Sequence, residues 1–305
     1  MTISSFDAVA EMAKAKGNKT VIAVVEATDV RTIESLIIAE KDAIVKPALI
    51  GNSEKIKALL YGCGAAPDDY IIVHSASVTE SMCHAIDMVK SGEAEALMKG
   101  SIDTAEFMRA IVSKESDLLA ESRLSLTGLF EIPNYHKILA ISDIVVNTYP
   151  DLECKNAIIR NAVWMLNALG LALPKVAVLA AVEKVNPKMP ETIDADALKQ
   201  MYIKNEITGC IIDGPISFDL ATSITAARMK RYESPVAGDA DLLIVPDLVS
   251  GNVLAKALTG MAGALTAGVV LGAKVPIVLT SRSAEATDKY YSIALAACIG
   301  VRAYG

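Results

Sequence analysis

The chain has 305 residues, more than one hydrophobic core usually needs, which favours two domains. Its residues are 52% hydrophobic but only 5% aromatic, with a single tryptophan, Trp164, a bias toward small aliphatics that suits helices packed on buried parallel strands. A formal net charge of -7 argues against a nucleic-acid surface, which needs concentrated lysine and arginine.

Residues 1–19 carry acids at Asp7 and Glu11 and hold no uninterrupted apolar run, so a signal peptide is not expected. From there, apolar runs rich in β-branched residues alternate with helical patterns. Strands are predicted at 20–25, 48–50, 70–73, 96–98, 175–180, 209–212, 242–245 and 275–279, and helices at 29–40, 79–91, 104–114 and 194–203. This order predicts an α/β fold with a mainly parallel sheet and helices on its faces. The longest uncharged stretch, between Lys256 and Lys274, is rich in glycine and threonine and too short to span a membrane; a buried helix followed by a tight loop is expected there. A domain boundary is placed between Leu126 and Ile138.

The five cysteines, Cys63, Cys83, Cys154, Cys210 and Cys298, are odd in number and widely spaced, which reads as reduced core thiols in a cytoplasmic protein. The three histidines, His74, His84 and His136, lack zinc-ligand spacing, and no metal site is expected. There is no Walker A loop. Gly62-Cys63-Gly64 opens like a dinucleotide fingerprint but has Pro67 where the third glycine belongs.

Gly-Pro-Asp punctuation concentrates in the second half, at 186–190, 213–215, 234–238 and 246–248, next to predicted strands where ligand-binding loops of α/β sheets are found. The most informative segment is 275–289. A buried strand runs to about Thr280; Ser281, Arg282 and Ser283 then form a strand-to-helix turn, with Ser283 as helix N-cap and Asp288 in the second turn of the helix. Hydroxyls and a guanidinium at a helix N-terminus suit an anion. The same spacing also describes a capped surface helix with an ion pair from Arg282 to Asp288 or Glu285, and residue types alone leave both readings open.

Six blocks in order carry a resemblance across nearly the whole chain: 97–104 (Leu-Met-Lys-Gly-Ser-Ile-Asp-Thr), 186–190, 213–219, 234–241, 246–252 and the Ser281-Arg282 to Asp288 segment. The sequence resembles the phosphate acetyltransferase/phosphate butyryltransferase family, nearer its butyryl-type members. The resemblance implies an α/β/α two-domain fold like that of the isocitrate and isopropylmalate dehydrogenases, a homodimer or higher homo-oligomer, and an active site in the interdomain cleft. The implied domains are 1–130 with 282–305, and 131–281 carrying the dimer interface. It further implies that Ser281, Arg282 and Asp288 are catalytic and that Lys99, Gly100, Thr104, Ser125, Gly251 and Asn252 bind substrate. Leu126 stands where butyryl-type relatives often have histidine.

The implied activity exchanges a short acyl group between coenzyme A and inorganic phosphate through an acyl phosphate, in a ternary complex without a tightly bound cofactor. Butyryl or branched chains are favoured and acetyl is the alternative. Asp288 would take the thiol proton, Ser281 would donate to the carbonyl oxygen or sulfur, and Arg282 would hold phosphate. Three competitors are a cysteine-based ping-pong route, a nicotinamide-dependent dehydrogenase of the same fold using Asp239 and Asp241 for metal, and a silent coenzyme A or acyl-phosphate sensor. Neither a nucleic-acid nor a membrane partner is expected.

Overall fold

The computed structural model describes residues 3–281 and 284–301. In chain order the elements begin with α1 (Phe6–Ala15), β1 (Thr20–Val25), α2 (Val30–Lys41), β2 (Val45–Gly51), α3 (Ser53–Gly62), a 3-10 turn (Pro67–Asp69), β3 (Ile71–His74), α4 (Val78–Lys90), β4 (Ala96–Lys99) and α5 (Thr104–Val112). They continue with β5 (Ser125–Glu131), β6 (Leu139–Ser142), α6 (Leu152–Ala168), β7 (Lys175–Leu179), α7 (Pro190–Ile203), β8 (Ile211–Ile216), α8 (Phe218–Thr222), α9 (Ile224–Lys230), β9 (Leu242–Ile244) and α10 (Leu248–Ala262). The last three are β10 (Leu265–Leu271), β11 (Ile277–Val278) and α11 (Ala286–Ile299). All eight predicted strands are present in part or whole, whereas β5, β6 and β10 were not anticipated.

Two compact units divide the chain: a terminal unit of residues 7–122 with 267–305, and a central unit of residues 1–6 with 123–266. The chain thus crosses at 6/7, 122/123 and 266/267, where the sequence suggested crossings at 130/131 and 281/282. The run 126–138 holds most of β5 and the approach to β6, which pair with each other as antiparallel neighbours.

In the terminal unit the sheet order is β3-β2-β1-β4-β11-β10, parallel throughout except for β10 against β11. Ile22 to Val25, Ala48 to Ile50 and Ala96 to Met98 are fully buried, as strands covered on both faces must be. Right-handed crossovers place α2 and α3 on one face and α4 on the other, and α11 packs beside α2. The chain leaving β4 enters α5, which packs against α4, so the connections leaving the neighbouring strands β1 and β4 run to opposite faces. This makes the gap beyond their carboxyl ends a topological switch point.

The central unit orders its strands β5-β6-β9-β7-β8, with β5 alone antiparallel. An ionic cluster sits where β6, β7 and β9 begin. Lys137 Nζ lies 2.8 Å from Asp239 and 2.6 Å from Asp241, while Lys175 and His136 also hold Asp239. The 234–241 block thus stands at the amino ends of the strands, away from the ends where α/β sheets bind ligands.

The uncharged stretch 256–274 differs from expectation. α10 leaves most of its length accessible, with only Gly251 buried, and the residues after it form strand β10. The cause is composition: an apolar helix suggests burial, but among the described residues the covering of α10 is partial, leaving Val249, Val253 and Met261 exposed. Two thiols also lie outside the core, Cys83 exposed and Cys63 half-buried; the other three are buried as expected.

Burial pushes the Asp239 carboxyl up, but hydrogen bonds from Lys137, Lys175 and His136 overcome this and hold it well below the usual range. A depressed folded-state value means that the unfolded chain binds the proton first, so this stability is present above about pH 4 and is lost as the medium becomes more acidic. Asp239→Asn should therefore flatten the fall in thermal midpoint between about pH 5 and 3 and cost about 1–2 kcal/mol at pH 7, a modest figure because the aspartate side chain is 41% exposed. Melting curves of both proteins across that range check it, and parallel curves would reject the assignment.

Candidate active site

The carboxyl ends of β1 and β4 are in backbone contact. Gly100 N–H donates to Val25 O and Ser101 N–H to Glu26 O, each at 2.8 Å. A Cβ at position 100 would fall 2.2 Å from Glu26 O and 2.7 Å from Val25 O, so only glycine lets the two chains pass. Just beyond, Asp29 caps α2 through Thr32 N, and Asp103 caps α5 through Ala105 N and Glu106 N.

A cavity of about 370 Å³ opens at this switch point, lined by Asp29, Lys99, Gly100, Ser101, Thr280 and Lys289. A larger one, near 600 Å³, is lined partly by Val21, Lys46 and Ile71 at the amino ends of β1, β2 and β3, the end of a parallel sheet that does not normally bind ligand. The smaller cavity is the candidate site. Lys99 and Lys289 are both buried; Lys99 Nζ donates to Gly100 O at 3.2 Å, and Lys289 Nζ to Thr280 Oγ1 at 3.1 Å.

That last bond joins two residues of the cavity lining, Thr280 and Lys289. Thr280 precedes Ser281 and Lys289 follows Asp288, so the predicted catalytic serine and aspartate lie between two residues that line the cavity. From α2, Arg31 reaches the same segment, with Nη1 3.4 Å from Ala284 O and Nη2 3.4 Å from Glu285 Oε1. Arg282 and Ser283 lie outside the described residues. The helix starts later than its sequence suggested: Glu285 is the N-cap of α11, and Asp288 is in the first turn, not the second. Ala284 N–H donates to Ser281 O at 3.1 Å, and the helix begins beyond it.

The other predicted binding residues are placed as follows. Gly100 and Lys99 line the cavity; Thr104 is half-buried as the first residue of α5. Ser125, Gly251 and Asn252 belong to the central unit. Ser125 is fully buried and accepts from Asn161 at 3.1 Å. Gly251 and Asn252 hold the loop after β6: a Cβ at 251 would fall 2.8 Å from Asp143 O, and Asn252 donates to Ile144 O at 3.2 Å. Asp143 organises that loop, its carboxylate accepting from the backbone of Leu126, Val145, Val146 and Asn147 and from the Asn147 side chain.

Sequence reasoning passed over Lys289 and Thr280. A signal existed: Lys289 shares a helical face with Ser292, Ile293 and Ala296, all buried, and a lysine on a buried face needs a reason. No cysteine lines the cavity, and burial pushes the thiols of Cys63, Cys154 and Cys298 up and that of Cys210 to about 11. Among the described residues, no helix is long and apolar enough to cross a membrane.

A branched-chain phosphotransacylase from Enterococcus faecalis V583 superposes with a TM-score of 0.82 at 30% identity, covering 93% of this chain and all of that one. The phosphate butyryltransferase of Clostridium acetobutylicum is 37% identical over 297 residues, 97% of this chain and 98% of its own. The phosphate acetyltransferase of Thermotoga maritima is 39% identical over 287 residues, 94% and 97% of the two chains. Residues 71–297 match the family described as Phosphate acetyl/butaryl transferase. These relatives show an acyltransferase, built on the α/β/α fold of the isocitrate and isopropylmalate dehydrogenases. The chain belongs to the phosphate acetyl/butyryl transferase family.

Replacing Gly100 by alanine drives a methyl group into backbone that no rotamer change can clear. Gly100→Ala should lower the thermal midpoint by several degrees and cut acyl-transfer activity at least about tenfold. Differential scanning calorimetry and a turnover assay check this; wild-type values for both would disprove the close approach.

Proposed function

We propose that this protein transfers a short acyl group between the thiol of coenzyme A and inorganic phosphate, with both substrates bound at once. The observation that carries the proposal is the lysine-lined cavity at the β1–β4 switch point, whose lining residues Thr280 and Lys289 are the sequence neighbours of Ser281 and Asp288. In the direction of thioester synthesis, Asp288 takes the thiol proton and the sulfur attacks the carbonyl carbon of the acyl phosphate. The carbon–sulfur bond forms, the bond from that carbon to the bridging oxygen breaks, and phosphate leaves with the electron pair. Ser281 donates to the developing oxyanion, a contribution of a few kcal/mol in comparable sites, and Arg282 balances phosphate charge. Phosphate is already a good leaving group, so the scheme requires no tightly bound cofactor.

The relatives named above carry butyryl and acetyl names at similar identity, so their names do not choose the acyl group. We favour butyryl or branched chains. Each buried methylene gains about 0.8 kcal/mol, so two more carbons improve kcat/KM by at most roughly 15-fold and the preference should be graded. The dehydrogenase alternative loses its metal ligands, because Asp239 and Asp241 are already engaged by Lys137. The unpaired thiols fit a cytoplasmic location.

The deciding experiment mixes purified protein with acyl-coenzyme A and phosphate and follows free thiol. Phosphate-dependent release is expected, with butyryl- or isobutyryl-coenzyme A ahead of acetyl. Asp288→Asn should lower turnover about 100-fold or more with coenzyme A affinity within a few-fold. Acetyl ranking first by tenfold would overturn the chain preference, and absence of thiol release the reaction itself.

A second copy of this chain is the occupant we assign to the face of α10. Val249, Val253 and Met261 are exposed there, Met261 at 89%, on a helix whose one charged residue is Lys256. Such a surface suits an isologous homodimer interface. Val253→Glu should shift the mass measured by light scattering from dimer to monomer; an unchanged dimer would move the interface elsewhere.

A further inference from the structure

The buried lysines of this protein fall into two kinds. Lys137 and Lys155 are each within 2.8 Å of carboxylate oxygens, from Asp239 and Asp241 and from Asp194. Lys289 is 4% exposed, yet its hydrogen bond goes to the neutral hydroxyl of Thr280, and among the described residues no carboxylate lies within ion-pair distance. Asp29, on the same cavity wall, favours its charge only at longer range and spends its Oδ1 on the α2 cap, while the Arg31 guanidinium opposes that charge. Burial is the largest influence and lowers the pKa of the ammonium below the usual lysine value. A cation in such a place is desolvated without a matching anion, a cost that an incoming anion offsets.

We infer that Lys289 is a phosphate-binding residue: its ammonium, facing the cavity beside Lys99, receives the oxygens of inorganic phosphate or of the phosphoryl group of the acyl phosphate. Lys289, on the acyl-transfer reading given above, supplies a second cationic contact in addition to Arg282, from the opposite end of the 280–289 segment. Its bond to Thr280 holds the side chain in one rotamer before phosphate arrives, which lowers the ordering cost of binding. An ammonium can donate three hydrogen bonds, so that bond leaves two for the ligand. The phosphates of coenzyme A share this chemistry, and the KM values for phosphate and for acyl-coenzyme A distinguish the two sources.

The test is Lys289→Met, which keeps length and removes charge, with Lys289→Arg as the charge-retaining control and Thr280→Val for the tether alone. In Lys289→Met the KM for phosphate should rise about tenfold or more while that for acyl-coenzyme A stays within about threefold. The ligand-free thermal midpoint should equal or exceed wild type, because a desolvated charge has been removed. Millimolar phosphate should raise the midpoint of wild type and of Lys289→Arg but not of Lys289→Met. An unchanged KM for phosphate would overturn the inference. So would a rise confined to acyl-coenzyme A, which would reassign the lysine to the cofactor's phosphates. A lower ligand-free midpoint with both KM values unchanged would make it a structural tether. Should Lys289→Met fail to fold, Lys289→Gln is read in the same way. If wild type shows no phosphate-dependent thiol release, the acyl-transfer reading fails, and phosphate protection in the melting experiment still decides whether Lys289 binds the anion.

Discussion

The carbonyl oxygen of Glu26 occupies the place that any side chain at position 100 would need. Much of the candidate site depends on this contact. Because Gly100 has no Cβ, the chains leaving β1 and β4 stay hydrogen-bonded for two residues past the strands before they part to opposite faces of the sheet. Glu26 takes a left-handed backbone angle, φ 53°, to make the turn. Only after that separation is there room for the cavity, so Asp29 and Ser101 are cavity residues by virtue of a glycine that binds nothing through a side chain.

The two units treat buried charge differently. In the central unit, Lys137 meets two aspartates and Asp143 accepts from the backbone of Leu126, Val145, Val146 and Asn147, so these charges are matched within the protein. Lys289 in the terminal unit rests on a hydroxyl. Satisfied charge makes a scaffold, whereas charge held by neutral groups keeps a capacity for ligand at some expense of stability, a trade-off common at active sites.

Much of the terminal unit was legible in the sequence because its strands are short, fully buried runs of β-branched residues between clear helix caps. β1 matches its expected span, Thr20–Val25, and β4, Ala96–Lys99, runs one residue beyond the expected 96–98. β5 and β6 escaped because Ser125, Thr127 and Ser142 break up the apolar pattern and satisfy one another, or nearby backbone and Asn161, inside the core, a pairing visible only in three dimensions. α10 was misread because hydrophobicity reports what a residue avoids, not what covers it. The stretch between β11 and α11 joins strand to helix as expected, but the helix cap is Glu285, two residues after the expected Ser283, and Lys289 escaped notice because its meaning depends on its bond to Thr280.

The division of the chain also bears on the order in which the protein is made. Residues 123–266 of the central unit are contiguous and leave the ribosome as one block, whereas the terminal unit waits for its last segment. Until β11 emerges, the edge of β4 opposite β1 lacks its parallel partner, and until α11 emerges, α2 lacks the helix that packs beside it. Lys99 and Gly100 are synthesised long before Thr280 and Lys289. A nascent or C-terminally truncated chain would thus carry one wall of the cavity beside an open sheet edge, the state in which chaperone binding and aggregation compete with folding.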